Sequence, residues 1–354
     1  MDACPIGTGA TVHSRLAEHV GNDSCTMTAR KKTPAERTSL VLALGGGGAP
    51  GLAHIGVLQV LEENDIPVRA IAGTSIGAEI GAFAASGMPI NDLAAIAQAF
   101  DWKQTLQLFM PDLPTGGLVS GINIVDFLEG WLGVQQIQDL AMGYVAIATD
   151  LESGEQVVID RGHLVDAVRA SISVPGLIAP HSSGQRLLTD GGVVNPLPFD
   201  VARARFGGPV VAVAVHGAAR NQCPQPQPAP QWPVRARQLL DQSWMARAQG
   251  LRTWLETQLG NHTQNAGKKP SWTTRRVLDR VLNITEAEIV RLRAAINPPD
   301  LMLTPDVGHI GPIEFYRAKD AIAAGRRVAE ANLPDLLRLL NTDQAQHRVP
   351  DRMP

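Results

Sequence analysis

The sequence predicts a three-layer α/β/α fold around a mostly parallel central sheet. Three observations lead there. Short apolar runs alternate with segments of helical period along much of the 354-residue chain. A glycine run, Gly45–Gly51, follows the first apolar run and opens a helix. A second apolar run ends in Gly73-Thr74-Ser75-Ile76-Gly77, which fits the strand–turn–helix pattern G-x-S-x-G.

The elements follow in order. Ser39–Leu44 reads as a buried parallel strand, being short and continuously apolar. Pro50 and Gly51 open a helix to about Glu63, because proline suits a first helical turn where its missing N–H costs nothing. Pro67–Ala72 is the second strand. Ile76–Ser86 is a helix of small residues that can lie very close to a sheet. Two or three helices fill Ile90–Leu132, broken by the Pro/Gly stretch Pro111–Gly121. Tyr144–Thr149 and Gln156–Ile159 are strands, His163–Ala170 a helix, and Leu187–Thr189 a short strand running into Asp190-Gly191-Gly192. Val210–Val215 is strongly apolar and reads as a strand. Residues 218–233 form a Pro- and Gln-rich loop, followed by helices at about 234–259 and 274–296. Leu301–Thr304 is a last strand, and Ile313–Glu330 and Pro334–Leu340 close the chain as helices. The organisation expected is a flexible tail at 1–38, a catalytic core at 39–217, a loop and helical insert at 218–300, and a terminal part at 301–354 that completes the same domain.

Composition narrows the function. The net charge of −3 gives no basic field for nucleic acid, and 4% aromatic residues give no stacking surface. Three cysteines, Cys4, Cys25 and Cys223, form no C-x-x-C pair, which fits a reducing compartment and no zinc site. No run of about 18 apolar residues suggests a membrane span. A cytoplasmic protein, peripheral to a membrane at most, is expected.

The chemistry lies in three motifs. Ser75 stands at a tight turn, flanked by Gly73 and Gly77 where side chains would crowd the backbone. Gly46, Gly47 and Gly48 supply main-chain N–H groups at a helix start, where a developing negative oxygen could sit. A serine hydroxyl needs a base. Asp190 could take the proton directly, with Gly191 and Gly192 letting another group approach it. A Ser-His-Asp triad would instead place His216, His262, His309 or His347 between them. Blander readings stand beside these. Ser75 could be a helix N-cap, Asp190 a turn aspartate, and His54 and His309 structural. Gly46-x-Gly48-x-x-Gly51 also fits a dinucleotide fingerprint, but the next strand ends in Gly73-Thr74-Ser75, where an acid for a ribose would be needed. Trp232, Trp244 and Trp254, interspersed with arginines, could rest on a lipid surface or simply pack on the core.

Taken together, Gly46–Gly51, Leu52-Ala53-His54-Ile55-Gly56-Val57-Leu58, Gly73–Gly77, Ala170-Ser171-Ile172-Ser173-Val174-Pro175 and Asp190-Gly191-Gly192 resemble a patatin-like phospholipase of the bacterial branch. The resemblance runs from about Leu40 to Val215. It implies hydrolysis of acyl esters of lipids by a serine–aspartate dyad, with Ser75 as nucleophile, Asp190 as base and the amides of Gly46, Gly47 and Gly48 as oxyanion hole. Gly51, Gly73, Gly77, Gly191 and Gly192 would support the motifs. It implies no metal or organic cofactor, and a lipid or acyl-ester substrate with transient contact at a membrane surface. One position departs: Pro50 stands where the family usually has Arg or Lys. A regulatory or scaffolding protein on the same fold is the alternative of another class.

Overall fold

The computed structural model describes residues 39–101, 104, 105, 108, 119–215 and 274–345. His216, His262, His347, the three cysteines, the 1–38 tail and the tryptophans at 232, 244 and 254 lie outside them.

In chain order the strands are β1 (Leu40–Leu44), β2 (Val68–Thr74), β3 (Gly143–Asp150), β4 (Gln156–Ile159), β5 (His181–Ser183), β6 (Arg186–Asp190), β7 (Val210–Val213) and β8 (Leu301–Leu303). The helices are α1 (Ala53–Glu63), α2 (Ile76–Ala85), α3 (Ile90–Ala99), α4 (Ile122–Leu132), α5 (Leu164–Ser171), α6 (Phe199–Phe206), α7 (Thr274–Ile296), α8 (Ala318–Ala331) and α9 (Leu333–Ala345). All eight strands share one sheet, ordered β5-β6-β3-β2-β1-β7-β8, with β4 also pairing β3. The five strands from β3 to β8 along this path are parallel. The pairs β3–β4, β3–β6 and β5–β6 are antiparallel and finish one edge.

Strands β1 and β7 are apolar throughout because both faces are covered. Leu40, Leu42 and Leu44 of β1 point to one face, where they join the core built with α1, α2, α3, α5 and α8. Val41 and Ala43 point to the other, against Leu197, Phe199, Val201 and Ala202. Val290 and Ala294 of α7 pack on this second face too. The period-2 alternation of the strand therefore meets two separate cores, and three layers result.

Several boundaries differ from the sequence reading. The helix expected from Pro50 begins as a 3-10 turn, Ala49–Leu52, before α1 starts at Ala53. The amides of Ala49 and Gly51 are held by Pro312 O and Gly48 O, which tightens the first turn. Pro50 fits there, buried, since its missing N–H falls in that turn. The helix expected from Ile313 starts only at Ala318, after a short turn at Phe315–Arg317. Strand β5 carries exposed serines and no apolar pattern, so no periodicity marks it in the sequence.

Candidate active site

Ser75 sits between β2 and α2 with φ 55° and ψ −127°. A non-glycine residue at positive φ is strained by roughly 1–3 kcal/mol, and the packing around it must hold it there. Two glycines permit the turn. A Cβ on Gly73 would lie 2.4 Å from Gly77 O, and one on Gly77 would lie 2.2 Å from Leu44 O. Helix α2 thus presses onto the sheet, and its first turn projects Ser75 from the carboxyl edge of β2. Gly51 makes the matching approach from the other loop, where a Cβ would strike Ile76 Cγ2 at 2.1 Å.

The turn is also pinned by hydrogen bonds. The Ser75 amide donates to Ser171 Oγ at 2.9 Å, and Ser171 Oγ donates onward to Ile147 O at 2.6 Å. Thr74 Oγ1 donates to Asn195 O at 2.8 Å. Asn195, fully buried, donates through Nδ2 to Gln156 Oε1 and Asp200 Oδ1. Arg293 of α7 pairs with Asp200 and donates to Val194 O. A chain of contacts therefore runs from α7 to the residue before Ser75.

Asp190 ends β6. Its amide donates to Ser173 O and its carbonyl accepts from Thr149 Oγ1, so the backbone is fixed on both sides. Its carboxylate has two partners. Oδ2 accepts from Ser75 Oγ at 2.5 Å, across 115 residues of chain, and Oδ1 accepts from the Gly192 amide at 2.7 Å. Gly191 lets this corner approach β3, since a Cβ there would meet Ile147 O at 2.3 Å. Ser75 and Asp190 are 7% and 5% exposed. Burial pushes the Asp190 carboxyl up to about 6, with the bonds from Ser75 and Gly192 pulling it back.

The glycine loop divides. The Gly46 amide donates to Pro196 O at 3.0 Å. That corrects the expectation of three amides for an oxyanion, because a donor already aimed at a carbonyl is not free for another acceptor. The amides of Gly47 and Gly48 have no hydrogen-bond partner among the described residues, and both glycines line the same cavity as Ser75. Gly48 has φ 63°, and a Cβ there would lie 2.2 Å from Pro312 O. Only glycine can turn the chain at that point.

The histidines at hand do other work. His54 is fully buried and its Nε2 bonds to Gly45 O at 2.8 Å, which braces the base of the glycine loop. His309 accepts on its carbonyl from Arg317 Nη1. Neither lines the cavity.

That cavity has a volume of about 530 Å³. Ser75, Asp190, Gly47 and Gly48 stand at one part of it. Ile80, Phe83, Leu93, Phe100, Ile124 and Phe127 line an apolar remainder. Two carboxyls in its wall escaped the sequence reading. Glu286, on α7, comes within 3.0 Å of where a Gly192 Cβ would be, and burial and the neighbouring Asp190 push it up to about 8. No local signal marks it, since α7 is remote in sequence and amphipathic. Glu79, on α2, is pushed up to about 7 by burial. An acid inside the small apolar helix Ile76–Ala85 was the available signal. No group of three or more His, Cys, Asp or Glu suited to a metal occurs among the described residues, nor any helix long and apolar enough to cross a membrane.

Comparison with known proteins identifies the family. Residues 42–203 match the family model described as patatin-like phospholipase. The chain is 31% identical over 324 residues to an uncharacterized NTE family protein of Mycobacterium tuberculosis, spanning 82% of this chain and 90% of that one. A second such mycobacterial protein is 34% identical over 304 residues, with 85% of this chain matching 48% of its length. Patatin-like phospholipase domain-containing protein 7 of Rattus norvegicus is 35% identical over 184 residues, 50% of this chain and 14% of that one. Among solved structures the chain is similar to VipD from Legionella pneumophila, with a TM-score of 0.42 and 14% identity over 88% of this chain and 69% of that one. With the family model on its sheet and a full-length relative above 30% identity, this chain belongs to the patatin-like phospholipase family, whose members are lipid acyl hydrolases.

Proposed function

We propose that this protein cleaves acyl ester bonds of lipids, in the manner of a phospholipase A or lysophospholipase, through a Ser75–Asp190 dyad. The observation that carries the reading is the 2.5 Å hydrogen bond from Ser75 Oγ to Asp190 Oδ2 inside a cavity with a long apolar wall.

In the reaction proposed, Ser75 Oγ attacks the ester carbonyl carbon while its proton passes to Asp190 Oδ2. The carbonyl oxygen becomes an oxyanion and receives the amides of Gly47 and Gly48. Collapse of the tetrahedral intermediate breaks the bond to the alcohol, which leaves with the proton from Asp190. Water then attacks the acyl-Ser75 and gives a proton to Asp190. A second collapse releases the fatty acid and returns the proton to Ser75. A carboxyl at about 6 suits this work. It is mostly ionised at neutral pH, yet basic enough to hold a proton briefly. A dyad suffices because the carboxylate already touches the hydroxyl, leaving no gap for an imidazole to bridge.

Substrate would arrive from a lipid surface. Val193, which lines the cavity, is 42% exposed, and Val281 and Ile284 stand exposed on α7 beside the lining residues Leu282 and Thr285. An apolar margin of this kind supports transient contact with a membrane.

A fluorophosphonate probe tests the reading. Covalent labelling mapped to Ser75, and absent from Ser75→Ala, is the expected result. A folded protein that takes no label, and hydrolyses no short-chain ester, would favour a scaffold without turnover.

A further inference from the structure

Glu79 is a carboxyl with no evident structural duty. It lies on α2 one turn beyond Ser75, and its amide donates to Ser75 O at 3.1 Å. Burial by the protein around it raises its pKa, and the surface it keeps faces the cavity. Its side chain has no hydrogen bond and no ion pair among the described residues. Ile76, Ile80 and Phe83 of the same helix line the wall with it. Tyr144 on β3, close enough to feel the Glu79 charge, already gives its hydroxyl hydrogen to Ala78 O at 2.9 Å. Glu79 is half-buried, with its remaining surface open to the cavity; an acyl chain that covered this surface without offering a donor would leave the carboxyl unpaired, at roughly 1–3 kcal/mol, a cost that a leucine at 79 would avoid. A substrate that brings its own donor to this point avoids that cost.

Its position says where on the substrate. Side chains four apart on a helix have Cβ atoms about 5–6 Å apart, and an ester poised for attack has its carbonyl carbon about 3–3.5 Å from Ser75 Oγ. An acyl chain running from that carbon along α2 passes the Glu79 carboxyl within its first few carbons. The apolar lining beyond, from Phe83 to Phe127, then takes the rest of the chain.

We propose that Glu79 is a specificity-determining residue that selects acyl chains bearing a hydroxyl near the ester, at roughly the β to δ carbon, by hydrogen bonding to that hydroxyl. This rests on the Ser75 hydrolase reading above. An acyl chain is preferred to the leaving alcohol as the bearer of the hydroxyl, because Glu79 shares its wall with the apolar residues of α2. A site that hydrogen-bonds a substrate hydroxyl discriminates against the analogue lacking it, whose arrival leaves the site's own polar group unpaired.

The test uses the full chain and matched p-nitrophenyl esters of decanoate and β-hydroxydecanoate. Wild type should favour the hydroxylated ester in kcat/KM by about tenfold to a hundredfold, the range expected for one hydrogen bond to a carboxyl. Glu79→Leu should reverse the preference, by raising turnover of the plain ester and lowering that of the hydroxylated one. Glu79→Gln, which keeps shape and hydrogen bonding, should retain part of the preference and guards against misfolding of the leucine variant. Equal wild-type rates on the two esters, or a preference untouched in both variants, overturns the inference. So does a preference that appears only when the hydroxyl is placed on the leaving alcohol. The Ser75→Ala control separates the two readings. Hydrolysis that survives it refutes the dyad, whereas hydrolysis that depends on Ser75 without discriminating the esters refutes only the role of Glu79.

Discussion

Ser171 Oγ accepts the Ser75 amide at 2.9 Å while donating its own hydrogen to Ile147 O at 2.6 Å. One fully buried hydroxyl thus ties the turn that carries Ser75 to the neighbouring strand β3, and Asp190 pairs with the same strand through Ala148. Ser171→Ala should leave the Ser75 amide unpaired and cost about 1–3 kcal/mol of stability. Fluorophosphonate labelling should slow while the variant remains folded by circular dichroism. Unchanged stability and labelling would remove Ser171 from the support of the turn.

Ser75→Ala is expected to lower esterase activity on the order of 10⁴–10⁶, and Asp190→Asn nearly as much. In the proposed dyad the two act as a unit, so the double variant should be scarcely worse than either single one. Additive losses, measured as kcat/KM, would mean that they act independently.

The pH profile follows from the raised carboxyls. Asp190 must be ionised to act, and its carboxyl stands at about 6, so kcat/KM should rise as pH increases through about 6. Glu286 stands at about 8, facing Asp190, with Glu79 in the same cavity at about 7. Ionisation of Glu286 places a second negative charge beside Asp190, in the cavity where the proposed oxyanion develops, so activity should fall again above about 8. Glu286→Gln should flatten that alkaline limb and keep the acid one. A wild-type profile flat from acid to alkaline pH would contradict both assignments.

Three carboxyls of the cavity should make their part of the stability fall as pH rises. All three carboxyls are raised in the fold, from 3.8 to about 6 for Asp190 and from 4.5 to about 7 and about 8 for Glu79 and Glu286. Between the unfolded and folded values the native state holds more protons, so the stability these three groups contribute is full below their unfolded values and is lost as pH rises to about 6 for Asp190, about 7 for Glu79 and about 8 for Glu286. Tm should drop over that interval, and Glu79→Leu should lessen the drop. A Tm that climbs with pH over the same interval would refute the raised values.

Gly77→Ala would place a methyl 2.2 Å from Leu44 O, a backbone atom that cannot swing aside. Helix α2 must then lift from the sheet, at a cost of about 1–3 kcal/mol or more. Since the same lift moves Ser75 away from Asp190, labelling should fall along with Tm. Gly87→Ala offers a contrast. It has nothing within 4 Å, so its penalty should come from φ 86° alone, with little effect on labelling.

Much was legible before any tertiary contact was known. The parallel strands could be read because burial on both faces demands continuous apolar runs, and the elbow because Gly73 and Gly77 are dictated by crowding within a few residues of Ser75. Asp190 was chosen over the histidines only through the family resemblance; residue chemistry alone left both open, since that choice turns on which group lies within reach of the hydroxyl across 115 residues.

What the sequence by itself determined is local: where strands end, which turns need glycine, and which residue types are able to perform acyl transfer. Backbone sterics and hydrophobic period act over a few residues, so they leave a readable mark. What only the tertiary structure decided is convergence. It gave the Gly46 amide to Pro196, brought Glu286 from α7 to the edge of Asp190, and placed Glu79 in the cavity wall. Each of these depends on chain segments far apart meeting in one low-dielectric space, and no short stretch of sequence records which neighbours a side chain will find there.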